Sequence, residues 1–117
     1  MPSTVLIVDD HPSFRATARL LLESDGWTVV GEAADGAVAL DAARALRPDL
    51  VLLDVNLPDL DGFTVAERLT NGGGGPSVVL VSSRDARDFG PRVERCGARG
   101  FVAKAELTGD ALRELVG

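Results

Sequence analysis

The chain has 117 residues, 45% of them hydrophobic and 26% charged, and its 18 acidic residues against 12 basic ones leave a net charge of -6. Such a chain fills one domain, residues 1–117, and buries roughly two-thirds of the surface its unfolded form exposes. The composition excludes a disordered or fibrous chain, and the acidic balance argues against gripping DNA or an anionic membrane by bulk electrostatics.

The first strand is expected at residues 5–8, a β-branched apolar run that ends abruptly on Asp9 and Asp10. A His11-Pro12 turn follows, and then a helix with Phe14, Ala18, Leu21 and Leu22 on one face. A second strand is expected at 28–30, followed by a helix that turns Ala39, Ala42, Ala43 and Leu46 to one side. The third and fourth strands, at 50–53 and 78–81, are apolar without alternation, as parallel strands covered on both faces are. Between them Val65, Ala66 and Leu69 mark a third helix, and the glycine run of NGGGGPS, residues 71–77, reads as a flexible link. It is not a phosphate loop, which needs Gly-Lys-Ser/Thr running from a strand into a helix.

Phe89, Val93 and Cys96 have helical spacing, but Gly90-Pro91 among them predicts an irregular entry to the fourth helix. A weaker strand at 101–103 and a last helix carrying Leu112, Leu115 and Val116 close the pattern, with Thr108 as N-cap and Asp110 in its first turn. Strand and helix alternate five times, which predicts an α/β fold with a parallel sheet and right-handed crossovers. Cys96 stands alone, excludes an internal disulfide, and reads as a half-buried small apolar residue. The start has no basic region before its short apolar run, and nothing approaches the roughly 20 apolar residues of a membrane span. A cytoplasmic location is expected.

In an open parallel sheet, ligands bind at the carboxyl ends of the strands. Those ends carry Asp9 and Asp10, then Asp54 and Asn56, then Ser82 and Ser83, and last Lys104, the only lysine in the chain. Carboxylates gathered in one crevice repel by roughly 4 kcal/mol for a pair about 4 Å apart in an effective dielectric near 20. A hard divalent cation with oxygen ligands offsets this, and Mg2+ suits a shallow acidic cleft. Beside such an ion a carboxylate can attack phosphorus, with Asp54 as nucleophile and with Lys104 and the Ser82 hydroxyl meeting the phosphoryl oxygens. His11 is assigned to the turn rather than to a base or metal ligand.

These residues, in the segments VLIVDDHPSFR, LVLLDVNLPDLDGF, VVLVSS and GARGFVAKAEL, resemble the receiver domain of two-component response regulators along essentially the whole chain. The resemblance implies a doubly wound, flavodoxin-like sheet of five strands in the order 2-1-3-4-5, with five helices. It implies phosphorylation of Asp54 by a sensor histidine kinase, with Mg2+ held by Asp10, Asp54 and the Asn56 carbonyl, and with Asp9 acting through a metal-bound water. It also implies a switch, in which Ser82 moves toward the phosphoryl group, Phe101 follows, and the face of helix 4, strand 5 and helix 5 is remodelled. Carrying such an equilibrium from 1:99 to 99:1 takes about 5.5 kcal/mol.

Three departures stand out. Ala105 follows Lys104 where many receivers have proline in a cis peptide, and a cis bond before alanine would cost about 3 kcal/mol, so a trans bond is expected. Phe101 lacks the hydroxyl of the tyrosine common there, and Gly90-Pro91 interrupts the fourth helix. Ser83 leaves the site open, while Arg84 and Asn56 are placed to flank an attacking water.

The expected function is therefore a regulatory phosphoacceptor, not an enzyme beyond its own phosphorylation and dephosphorylation. DDHPSFR and the lysine without a following proline resemble receivers that precede a LuxR-type helix-turn-helix domain, so transcriptional output, and any DNA contact, would come from a domain outside this sequence. A homodimer on phosphorylation is a further partner of this reading. The alternatives are a stand-alone receiver acting on a protein partner and a Mg2+-dependent phosphatase with an aspartyl nucleophile. Against the phosphatase, the first strand is followed by Asp9-Asp10-His11 and not by Asp-X-Asp.

Overall fold

The computed structural model describes residues 3–116. Five strands, β1 (Thr4–Val8), β2 (Thr28–Ala33), β3 (Leu50–Asp54), β4 (Ser77–Ser82) and β5 (Gly100–Ala103), form one sheet in the order β2-β1-β3-β4-β5, with every pair parallel. The helices are α1 (Pro12–Ser24), α2 (Gly36–Leu46), α3 (Gly62–Thr70), α4 (Arg92–Arg95) and α5 (Gly109–Val116). This is the expected doubly wound architecture.

Strand periodicity divides the core in two. Val5, Ile7, Leu50, Leu52, Val79 and Val81 point to the layer that holds Ala18 and Leu22 of α1 and Leu112 of α5. Leu6, Val8, Val51, Leu53, Val78 and Leu80 point the other way, onto Ala39 and Ala43 of α2 and Phe63, Val65 and Ala66 of α3. With both faces covered, polar alternation would put a hydrophilic side chain into a core, which is why β1, β3 and β4 read as unbroken apolar runs. Cys96 lies in the second layer and is fully buried, not half-buried, with its thiol donating to the Val93 carbonyl.

β2 runs three residues beyond the expected 28–30. Gly31, Glu32 and Ala33 have weak strand propensity, yet they pair with Leu6, Ile7 and Val8 after an irregularity at Val5/Leu6, so the ladder of a buried neighbour overrides local preference. The break at Gly90-Pro91 takes the expected form. A 3-10 turn at Ala86–Phe89 ends on Gly90 at φ 63°, and α4 resumes after Pro91 for only four residues. Thr108 caps α5 through its hydroxyl to the Ala111 amide at 3.0 Å, and all peptide bonds among the described residues are trans, Lys104-Ala105 included.

The turn between α1 and β2 is fastened to α5. The Asp25 carboxylate accepts the Gly109 amide at 2.8 Å, the buried Trp27 indole donates to the Gly109 carbonyl at 3.4 Å, and the Arg113 guanidinium lies 5.6 Å from the Trp27 ring centre. The two ends of the layer are thereby joined. Where the strand order reverses, between β1 and β3, the carboxyl ends of the strands open the crevice that holds the acidic residues.

Candidate functional site

Asp54 is the last residue of β3 and is 3% exposed. Its Oδ1 accepts the Asn56 amide at 3.2 Å, and the Lys104 Nζ donates to its Oδ2 at 3.4 Å. The loop beyond doubles back tightly: Asn56 bridges to Asp61, the Gly62 amide donates to the Val55 carbonyl at 2.7 Å, and Asp61 caps α3 by accepting the Thr64 amide at 2.8 Å. A Cβ on Gly62 would fall 2.7 Å from the Val55 Cα, so glycine is what lets α3 begin this close to Asp54.

Asp9, directly after β1, is completely buried. Its Oδ1 accepts the His11 amide at 2.8 Å and lies 3.0 Å from the His11 Nδ1, while its Oδ2 lies 2.6 Å from the Lys104 Nζ. That last contact is a close ion pair, and it sets the ammonium of Lys104 against the most deeply buried carboxylate of the cluster. Asp10 is more open, with its side chain 36% exposed and its Oδ1 3.1 Å from the same His11 nitrogen. One ligand atom each from Asp9, Asp10, His11 and Asp54 can be chosen so that all lie within 4.8 Å of one another.

Burial raises the proton affinity of both inner carboxyls, and their surroundings then divide them. For Asp9 the opposing effects of Lys104 and of the His11 amide win and hold it below the usual range. For Asp54 burial dominates, the Asn56 amide opposes it only partly, the Asp9 charge adds to it, and the carboxyl is pushed up to about 6. Lys104 pays a desolvation penalty that would lower its affinity for protons, but Asp9 and Asp54 more than reverse this, so it stays firmly cationic. The Phe14 ring, 4.5 Å from Nζ, shields the ammonium on its other side.

Two buried carboxylates and a more open third share a single compensating ammonium, and an anionic pocket of this kind fits a hard divalent cation. The oxygen donors of Asp9, Asp10 and Asp54 are of the type Mg2+ takes.

Ser82 ends β4, is 1% exposed, and accepts the Arg84 amide on its Oγ at 3.0 Å. Ser83 is exposed. The Arg84 guanidinium is directed at Asp88 at 3.6 Å and stands 5.3 Å from the Phe89 ring centre, so it is engaged with the 3-10 turn and not held over the acidic pocket. Phe101 is half-buried on β5 with its ring centre 5.9 Å from that of Phe89, which in turn stacks edge-on against Phe63 at 5.6 Å. Three side chains contribute beyond the roles that the sequence reading gave them. His11 does begin the turn, as expected, but its ring also stands between the two carboxylates; Arg15 donates to the Asp9 carbonyl at 2.6 Å; and Phe14 faces Lys104. Only the His11-Pro12 spacing after paired aspartates offered any signal for them.

The chain is similar to known proteins in sequence and in fold. The sequence pattern of the response regulator receiver domain matches residues 5–116. The chain is 46% identical over 110 residues to a protein of Pseudomonas aeruginosa named as a transcriptional regulator, covering 94% of this chain and 53% of that one. It is 35% identical over 116 residues to the nitrate/nitrite response regulator protein NarL of Escherichia coli, covering 97% and 53%. It thus spans about half the length of the curated relatives it matches. Among solved structures, the signal receiver domain of a Mycobacterium tuberculosis protein named as the response regulator NarL superposes with a TM-score of 0.88 at 35% identity, covering 99% and 98%. The chain belongs to the response regulator receiver domain family of two-component signal transduction, a regulatory family.

Proposed function

We propose that the chain is a phosphoacceptor switch in which Asp54 takes a phosphoryl group from a sensor histidine kinase and relays its state through the face formed by α4, β5 and α5. The observation that carries this reading is the placement of Asp54: a buried carboxylate held by the Asn56 amide and the Lys104 ammonium, beside Asp9 and Asp10. A carboxylate fixed at both oxygens but short of neutralising charge is poised to share its electrons with phosphorus.

Asp10, Asp54 and the Asn56 carbonyl would hold Mg2+, with Asp9 acting through a bound water. When bound, the ion supplies the positive charge that phosphoryl transfer needs at the equatorial oxygens. An Asp54 oxygen forms its bond to phosphorus as the bond from phosphorus to the donor imidazole nitrogen breaks, and the imidazole, already protonated on its other nitrogen, leaves as a neutral ring. Lys104, freed from part of its contact with Asp54, follows the charge onto a phosphoryl oxygen. Ser82 exchanges its acceptance of the Arg84 amide for donation to another oxygen, and Phe101 moves in behind it, drawing on its contact with Phe89. A groove lined by Ser13, Phe14, Thr17, Leu21, Ala105 and Leu107 runs beside Lys104 and offers the donor a largely apolar approach.

Transcriptional output, and homodimerisation on phosphorylation, would involve the part of a longer regulator that the relatives' extra length represents. The test is intact-protein mass after exposure to acetyl phosphate or phosphoramidate with Mg2+. One phosphoryl adduct is expected that requires Mg2+, is labile to hydroxylamine and is absent from Asp54→Ala. A folded wild type that takes up no phosphoryl group refutes the reading.

A further inference from the structure

We propose that His11 is a metal ligand and that it opens this site to divalent transition cations of the zinc class. The inference rests on the reading of the acidic pocket as a cation site and concerns what that site selects.

The His11 ring already stands against two carboxylates of the pocket. His11 Nδ1 lies 3.0 Å from Asp9 Oδ1 and 3.1 Å from Asp10 Oδ1. Adjacent ligands around an ion with bonds of about 2.1 Å are separated by roughly 3 Å. The ring nitrogen and two carboxylate oxygens therefore stand at ligand spacing, and an Asp54 oxygen, in a set of four within 4.8 Å of one another, needs a small inward shift to join them.

His11 is also held there by its backbone. Its amide donates to Asp9 Oδ1 at 2.8 Å, its carbonyl accepts the Arg15 amide at 3.1 Å, and the following Pro12 fixes the chain as α1 begins. The ring need not be gathered from solution, so little side-chain freedom is lost on binding. Its side chain is 64% exposed, which leaves the second ring nitrogen open to water. A ligating Nδ1 offers its lone pair to the ion, and the neutral ring then carries its proton on Nε2.

Donor type then determines the preference. An all-oxygen pocket suits Mg2+, which stays largely hydrated and gains little from imidazole. Adding one imidazole nitrogen to carboxylates gives the mixed nitrogen and oxygen set that zinc favours, with a further position open. Zn2+ bound in this way would occupy the oxygens that Mg2+ needs, so the two cations would compete.

His11 is the only histidine in the chain, which makes the test unambiguous on protein without a histidine tag. The protein is labelled with 15N-histidine and titrated with Zn2+ and separately with Mg2+, following imidazole resonances by NMR and affinity by calorimetry, for wild type and for His11→Phe. Expected are a large coordination shift of the Nδ1 resonance on Zn2+, against only a small displacement when Mg2+ binds the neighbouring carboxylates, a loss of at least tenfold in Zn2+ affinity in the variant, and retained Mg2+ binding. The last of these also shows that the variant is folded. Mg2+ binding together with no coordination shift on Zn2+ and equal Zn2+ affinity in both proteins overturns the role of His11 and leaves the phosphoacceptor reading standing. A wild type that binds neither cation overturns both.

Discussion

Replacing Asp54 with asparagine should make the metal-free protein more stable. The carboxyl is pushed to about 6 from an ordinary value of 3.8, and a tenfold difference in proton affinity corresponds to about 1.4 kcal/mol. Holding it as an anion at pH 7.5 therefore opposes folding by about 3 kcal/mol. Asparagine keeps a carbonyl for the Asn56 amide but deprives Lys104 of an anion at 3.4 Å, so a net gain of about 2 kcal/mol is expected, or roughly 8 °C in Tm for a chain of this size.

The pH dependence fixes the sign. Above about 6 the wild-type carboxyl is ionised in both folded and unfolded chains, and the full penalty applies. Between about 6 and about 4 the folded protein keeps a proton that the unfolded chain has lost, so wild type regains stability as pH falls. Below about 4 the penalty is gone. Urea denaturation followed by circular dichroism in EDTA at pH 7.5 and pH 4 measures both quantities. An Asp54→Asn protein no more stable than wild type at pH 7.5, or one with the same advantage at both values, refutes the electrostatic argument.

Lys104→Ala removes the cation 2.6 Å from the buried Asp9 Oδ2, and breaking such a pair should destabilise the fold by about 3 kcal/mol, read from the same urea titrations; an unchanged midpoint would contradict it. Gly62→Ala places a methyl group against the Val55 Cα at 2.7 Å and against the Asp54 carbonyl, so α3 must shift, with an expected loss of about 2 kcal/mol and a slower uptake of phosphoryl groups, both measurable on one preparation. Asp61→Ala removes the α3 cap at 2.8 Å to Thr64 and should lose about 1 kcal/mol, with Asp61→Asn retaining most of it. Burial raises the Asp61 carboxyl, but the Thr64 amide and Arg92 outweigh it and hold the group below its usual range, so this contribution stands above pH 4 and fades as acid titrates the folded form; thermal melts from pH 7 to pH 3 would show it.

The sheet was readable because its central strands are buried on both sides. Val5 to Val8, and the runs at 50–53 and 78–81, admit no polar residue, and turn or helix signals separate them. The end of β2 was not readable, since Gly31 and Glu32 are extended by their neighbour rather than by their own preference. Chain topology, once inferred, brought Asp9, Asp54 and Lys104 together although 45 and 50 residues separate them, as the contacts of Lys104 with both carboxylates record. Side-chain direction did not follow from topology. Nothing in a linear pattern says that Arg84 turns to Phe89 and Asp88 while the His11 ring stands between two aspartates. The exposure of Cys96 was misjudged for a related reason: a four-residue helix buries it through β-sheet packing that its own spacing does not encode.

The fastening of the α1–β2 turn to α5 gives the protein an optical reporter of its own. Trp27 is the only tryptophan, and its indole, 4% exposed, is bonded to the first residue of α5 and overlaid by Arg113. Its emission reads the docking of the last helix without interference from any other indole. A red shift without loss of helical circular dichroism would mark α5 lifting from the sheet, and an unchanged spectrum on phosphorylation would locate the rearrangement elsewhere on the molecule.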